Sequence, residues 1–260
     1  MLVPRRLRGP IAAIYAFARH ADDLADEGNL SAQQRLEQLQ DYRKNLHALD
    51  QQQTPIFVAL HDCQQRFNLP LNLFDNLLTA FIQDVSKTRY ETRQDVLAYC
   101  QNSANPVGQL LLYLNNSASP QNLVDSDAVC TALQLINFLQ DIEQDYQEND
   151  RIYIPHETMQ RHNLDESWIS KRQSDHRVRA LITTLIKQAR TLLLQGAPLA
   201  WRLKGRFGLE IRLIVAGGIR ILNKLESQQD DVFSRPRLDT RDKCWMLKCA
   251  FSRIESLNDI

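Results

Sequence analysis

The sequence predicts an all-α protein. Three observations carry that reading. Apolar residues recur at helical spacing, β-branched alternation is nearly absent, and only eight glycines and nine prolines punctuate 260 residues. No internal repeat, low-complexity tract or linker divides the chain, so a single domain over 1–260 is expected.

The elements follow in order. Pro10 suits the first turn of a helix running to about Glu27. Ser31 caps a second helix, in which Leu36, Leu39, Tyr42, Leu46 and Leu49 form one stripe. Further helices are expected over 55–67, 71–85, 93–115, 121–147, 175–203, 207–226 and 239–257. Pro106 and Pro198 fall inside two of these and should kink or interrupt them. The segment from Gln147 to Leu164 contains Pro155 and two histidines without a clean period, and reads as a functional loop.

Composition narrows the function. Lys plus Arg balances Asp plus Glu at 31 each, which removes the usual argument for a nucleic-acid binder. Hydrophobic residues at 43% and charged residues at 24% are ordinary for a globular protein able to bury a sizeable core. Cys63, Cys100, Cys130, Cys244 and Cys249 are odd in number and lack a C-x-x-C, so they read as reduced, mostly buried thiols of a cytosolic protein. The N-terminus has no apolar run long enough for a signal peptide, and no transmembrane helix is expected.

Two acidic ladders stand out. In "AFARHADDLADEG", Asp22 and Asp26 stand one above the other on a helix, as do Asp23 and Glu27. Like charges so placed cost an isolated helix roughly 0.2–0.5 kcal/mol per pair, which solvent or a bound cation must offset. In "NFLQDIEQDYQENDRIYIP", Asn137, Asp141 and Asp145 follow at successive i+4 steps, with Gln134 one turn earlier. This second ladder leaves the uncharged run "AVCTALQLINFLQ", which reads as a buried helix. A single D-x-x-x-D is ordinarily a solvated face. Two that each end an apolar helix can instead converge on one cavity, where unpaired carboxylates need cations. Oxygen ligands favour Mg²⁺, which keeps water and completes its shell with phosphate oxygens, implying a diphosphate ligand.

"YAFARHADDLADE", "YCQNSANPVG" and "NFLQDIEQDYQENDRIYIP" resemble the signature segments of the squalene and phytoene synthases, which join prenyl chains head to head. The likeness covers almost the whole chain. It is greatest to the bacterial hopanoid-pathway squalene synthases of the hydroxysqualene type. "LRGPIAAIYAFARHADDLADEG" points there, as does Gln140 where phytoene and presqualene diphosphate synthases more often carry arginine. The resemblance implies an isoprenoid synthase helical bundle around a central apolar cavity. It makes Asp22, Asp26, Asp141 and Asp145 the Mg²⁺-diphosphate ligands. Gln134 and Asn137 line the site, Arg19, Arg151 and Tyr153 contact or cover the diphosphate, and Tyr15 and Tyr99 point into the cavity.

The implied reaction is loss of diphosphate from presqualene diphosphate and capture of the rearranged cation by water, giving hydroxysqualene. Two alternatives are condensation of two farnesyl diphosphates to presqualene diphosphate or squalene, and a non-catalytic helical partner of a companion synthase. The family also implies a cytoplasmic place at the inner face of the membrane, with peripheral contact for lipid release. A companion synthase and a reductase of the same pathway would be its partners.

Other residues divide between structure and site. Arg89 in "DVSKTRY" is either a basic residue past a helix C-terminus or a diphosphate contact. Arg212, Arg220 and Lys224 share one stripe, for structural pairing or for substrate. Gly217-Gly218 should permit close helix packing. His20 reads as structural, and Trp201 and Trp245 as core. No G-x-G-x-x-G follows a strand, so no dinucleotide-binding fold is expected, although reductive relatives that use NADPH lack that motif too. Relatives usually carry a further helix before "PRRLR". Its absence leads to the expectation that upstream codons encode it, or that the 260-residue form is weakly active.

Overall fold

The computed structural model describes residues 4–228 and 231–251. Its contacts group into two compact units. Unit one comprises 1–87 and 99–123, and unit two comprises 88–98 and 124–260.

Unit one is built on α1 (Arg5–Asp26), α2 (Ala32–His47), a 3-10 turn (Leu49–Gln51), α3 (Pro55–Phe67) and α4 (Leu71–Asp84). Its α1 packs on α2, α3 and α4. Ser31 caps α2 with a full capping box, its hydroxyl and the Gln34 side chain bonding reciprocally to the backbone. Leu39, Tyr42, Leu46 and Leu49 of the predicted stripe are buried, while Leu36 is half-buried. They meet Phe17, whose ring stacks on Tyr42 at 5.0 Å and stands edge-on to Phe74 at 5.3 Å. Pro10 is a correction. The helix begins at Arg5, directly after Pro4, so Pro10 lies in the second turn instead of opening the first. Having no N–H, it cannot bond back to the carbonyl of Arg6, and the helix runs through that single gap.

The expected helix 93–115 is interrupted, as Pro106 requires, into α5 (Arg93–Ser103) and α6 (Asn105–Leu114). Pro198 likewise separates α11 (His176–Gly196) from α12 (Pro198–Arg202). Between these pairs lie α7 (Pro120–Gln140), α8 (Ile142–Asn149), α9 (His156–Arg161) and α10 (Ser167–Ser170). Then come α13 (Gly205–Ser227) and α14 (Thr240–Phe251). Residues 252–257 of the last expected helix, like 1–3, lie outside the described residues.

In unit two, α13 packs on α11, α12 and α14. Gly218 makes the first of these approaches possible, since a Cβ there would lie 2.9 Å from Leu193 Cδ2 and 3.2 Å from Leu133 Cδ2. The stripe on α13 is structural in large part. Arg220 Nε donates to Asp242 Oδ1 at 2.6 Å, and Lys224 Nζ lies 2.5 Å from Asp242 Oδ2. Arg212 donates to the carbonyls of Ala200 and Ala250. Trp201 and Trp245 are only half-buried, each with a guanidinium over its ring, Arg212 and Arg220 respectively. His20, in unit one, rests its ring on Tyr42. Of the five free cysteines, Cys63, Cys100 and Cys249 are buried, Cys130 is half-buried and Cys244 is exposed. Among the described residues no helix is long and apolar enough to cross a membrane.

Candidate active site

The first ladder lies on the C-terminal turns of α1. Its charge is met within the helix: Arg19 reaches Asp22 Oδ2 at 2.9 Å, Asp23 Oδ1 at 2.7 Å and Glu27 Oε1 at 2.7 Å. Those three carboxylates, Asp23 foremost, raise the guanidinium pKa further. Arg19, Asp26 and Glu27 are exposed, and the Asp22 and Asp23 side chains are 40% and 37% exposed. Tyr15, one turn before Arg19, is 67% exposed.

The second ladder is placed differently. The expected continuous helix 121–147 breaks at Asp141, whose backbone sits at φ −111°, ψ 17° between α7 and α8. The rail nevertheless survives the break. Asp141 N–H bonds to Asn137 O at 3.0 Å and Asp145 N–H to Asp141 O at 2.8 Å, so Asn137, Asp141 and Asp145 keep their i+4 succession. Asn137 is exposed, whereas Gln134, Asp141 and Asp145 are half-buried.

Burial shapes the electrostatics here. It pushes the Asp145 carboxyl up to about 7, helped by the charge of Asp141 and opposed by Arg151. Burial also raises Asp141, and Arg235 pulls it back. The Arg235 guanidinium grips Asp141 with two nitrogens, Nε 2.6 Å from Oδ1 and Nη2 donating to Oδ2 at 3.0 Å. Nothing in the sequence singled out Arg235. The only signal was "SRPRL", two arginines about a proline in an unperiodic gap between helices. Gln140, next to the ladder, donates to the carbonyl of Pro236 at 2.8 Å.

The segment after α8 is pinned rather than loose, and it contains α9. Asp150 turns the chain at φ 50°, after which Arg151 N–H bonds to Asp145 O at 3.0 Å. Ile152 forms an isolated parallel bridge with Arg89, and His156 N–H bonds to Tyr90 O at 2.8 Å. Tyr153 is fixed by stacking on Phe138 at 3.8 Å and on Tyr90 at 5.5 Å. A small apolar cavity of about 30 Å³ adjoins it, lined in part by Leu97, Leu135, Phe138 and Tyr153. Arg89 is engaged by Asp150 Oδ1 at 2.7 Å and Glu166 Oε2 at 2.6 Å. In unit one Tyr99 is buried and donates its hydroxyl to Asp84 Oδ2 at 2.9 Å.

The donor set of the second ladder suits a hard divalent cation. Two half-buried carboxylates stand one turn apart, both pushed toward protonation by burial. Among the described residues no group of three or more His, Cys, Asp or Glu is placed to hold a metal ion together. Mg²⁺ does not require one, because it takes one or two carboxylates, water and substrate phosphate oxygens.

An all-helical fold of this kind is shared with known isoprenoid synthases. The crystal structure of the squalene synthase HpnC from Alicyclobacillus acidocaldarius is similar with a TM-score of 0.84 and 33% identity, over 88% of this chain and 87% of that one. Hydroxysqualene synthase from Rhodopseudomonas palustris is 33% identical over 87% of this chain and 77% of its own length. That from Zymomonas mobilis is 34% identical over 82% and 72% respectively. Residues 1–242 match the squalene/phytoene synthase family, and the chain belongs to it.

Proposed function

We propose that the chain, working as one synthase domain, converts presqualene diphosphate to hydroxysqualene with loss of diphosphate. The Asn137–Asp141–Asp145 rail, with its two half-buried carboxylates, carries this reading, in a chain 33–34% identical to two hydroxysqualene synthases. Asp141 and Asp145 on the second ladder, and Asp22 and Asp26 on the first, would supply carboxylates to Mg²⁺. When bound, that ion neutralises the departing diphosphate.

The chain's own groups do the rest. Arg19 and Arg151 offer charge-assisted hydrogen bonds to diphosphate oxygens, and Arg89 can do so once it leaves Asp150 and Glu166. Asn137 and Gln134 present amides that both donate and accept. Tyr15, Tyr99 and Tyr153 present π faces toward a cationic carbon skeleton; Phe138 and Tyr90 hold the Tyr153 ring in place. Water terminates the reaction, so no nicotinamide cofactor is consumed. The protein works in the cytoplasm, peripheral to the inner membrane face, beside the other enzymes of its pathway.

The second reading is condensation of two farnesyl diphosphates, favoured by the likeness to a protein named squalene synthase. Incubating purified protein and Mg²⁺ with each diphosphate, with and without NADPH, separates the two by the lipid formed. Hydroxysqualene from presqualene diphosphate without NADPH is the expected result. Squalene formed only with NADPH would move the chain to the reductive group, and turnover of farnesyl diphosphate alone would favour condensation.

A further inference from the structure

The connection 231–239 between α13 and α14 is a strap lying against the second ladder. Further contacts hold it besides Arg235. Arg172 lies 5.0 Å over the Phe233 ring, with Asp231 3.9 Å from its guanidinium. Gln140 donates to Pro236 O at 2.8 Å, and Lys224 Nζ donates to Arg237 O at 2.9 Å. Arg235 is thereby delivered to Asp141, from which it is 94 residues distant in sequence.

Two ion pairs of unit two differ in a way that assigns them different roles. The Asp242 side chain is 1% exposed, shares Arg220 and Lys224, and accepts the Asp239 N–H at the start of α14. Removing either cation leaves buried charge, so that cluster is permanent. In the other pair the Asp141 side chain is 12% exposed while Arg235 is 43% exposed. Arg235 can swing into water at little cost, whereas Asp141 cannot remain charged alone without a replacement cation.

We propose that Arg235 is the resident counter-ion of Asp141 in the metal-free protein, and that a divalent cation must displace it. This rests on the reading of Asp141 as a metal ligand. The guanidinium lies against both carboxylate oxygens, hydrogen-bonded to Oδ2 and paired by charge with Oδ1, so its positive charge opposes a cation at either. The strap stays anchored through its backbone carbonyls, so the exchange is a swing of one side chain. Arg235 is thus a positioning residue. It holds the Asp141 carboxylate in place until the metal arrives, and it sets the metal concentration at which the site fills.

The test is Mn²⁺ binding to the metal-free protein, followed by loss of the free-ion signal in electron paramagnetic resonance. Arg235→Gln should tighten Mn²⁺ binding about five- to tenfold, and Arg235→Lys, which keeps charge but loses the fork, should tighten it less. Asp141→Asn should weaken binding in both the wild-type and the Arg235→Gln background. Unchanged or weaker binding in Arg235→Gln, with Asp141→Asn still damaging, overturns the counter-ion role and leaves the metal reading standing. Binding indifferent to Asp141→Asn, or undetectable in every variant, overturns both. Circular dichroism melts establish that each variant is folded; should Arg235→Gln fail, Arg235→Lys decides by the same sign of change.

Discussion

The ladders at Asp22 and at Asp141 have the same spacing, but their charges are met at opposite distances along the chain. On α1 the cation comes from Arg19, on the same helix, and the whole cluster is more than a third exposed. At the α7–α8 junction it comes from Arg235, brought in by a strap, and the carboxylates are half-buried. Exposed pairs on one helix contribute little to stability, because water already solvates each partner. A partly buried carboxylate depends on its partner far more, since that partner replaces hydration. The first ladder is therefore stable by itself, while the second is held in readiness by the rest of its unit.

That contrast can be broken in three ways, in falling order of effect. The largest concerns turnover. Asp141→Asn and Asp22→Asn should each lower it by about a thousandfold or more, with the helical circular dichroism spectrum unchanged. Near-normal turnover in either variant would remove that ladder from the proposed metal site.

The next concerns pH. The Asp145 carboxyl is raised to about 7 in the folded chain, so between about pH 4 and 7 the folded state holds a proton that the unfolded state has released. Stability of the metal-free protein therefore falls as pH rises through that window, and the loss is complete above it. Asp145→Asn should raise the melting temperature at pH 8 by a few degrees and flatten the difference between pH 5 and pH 8. An unaltered pH profile would show that Asp145 is better solvated than its position implies.

The smallest concerns the first ladder. Arg19→Ala should leave the melting temperature within about 2 °C of the wild type, because each of its partners keeps more than a third of its side chain in solvent. A loss as large as that from a buried residue would mean that α1 needs its arginine, and the contrast between the ladders would fail.

What was legible in the sequence was what acts locally. The Ser31 capping box, the stripe from Leu39 to Leu49 and the interruptions near Pro106 and Pro198 all depend on residues within a few positions of one another. The spacing of both ladders was legible for the same reason. The break at Asp141 was not, because its neighbours are good helix formers and no glycine or proline marks it. Nor was the contact of Arg235 with Asp141, which exists only once α13 and α14 have placed the strap. Pro10 misled for a simpler cause: Pro4 offered an earlier place to begin, and the helix took it.

Fastening the strap at Phe233, Pro236 and Arg237 changes what kind of competitor Arg235 is. A dissolved guanidinium ion would leave Asp141 on dilution. A tethered one is presented at an effective concentration set by geometry, on the order of millimolar or above for short connections. Protein concentration therefore has no influence on whether the site fills. Only the amount of free divalent cation, and whatever anion arrives with it, can tip that local competition.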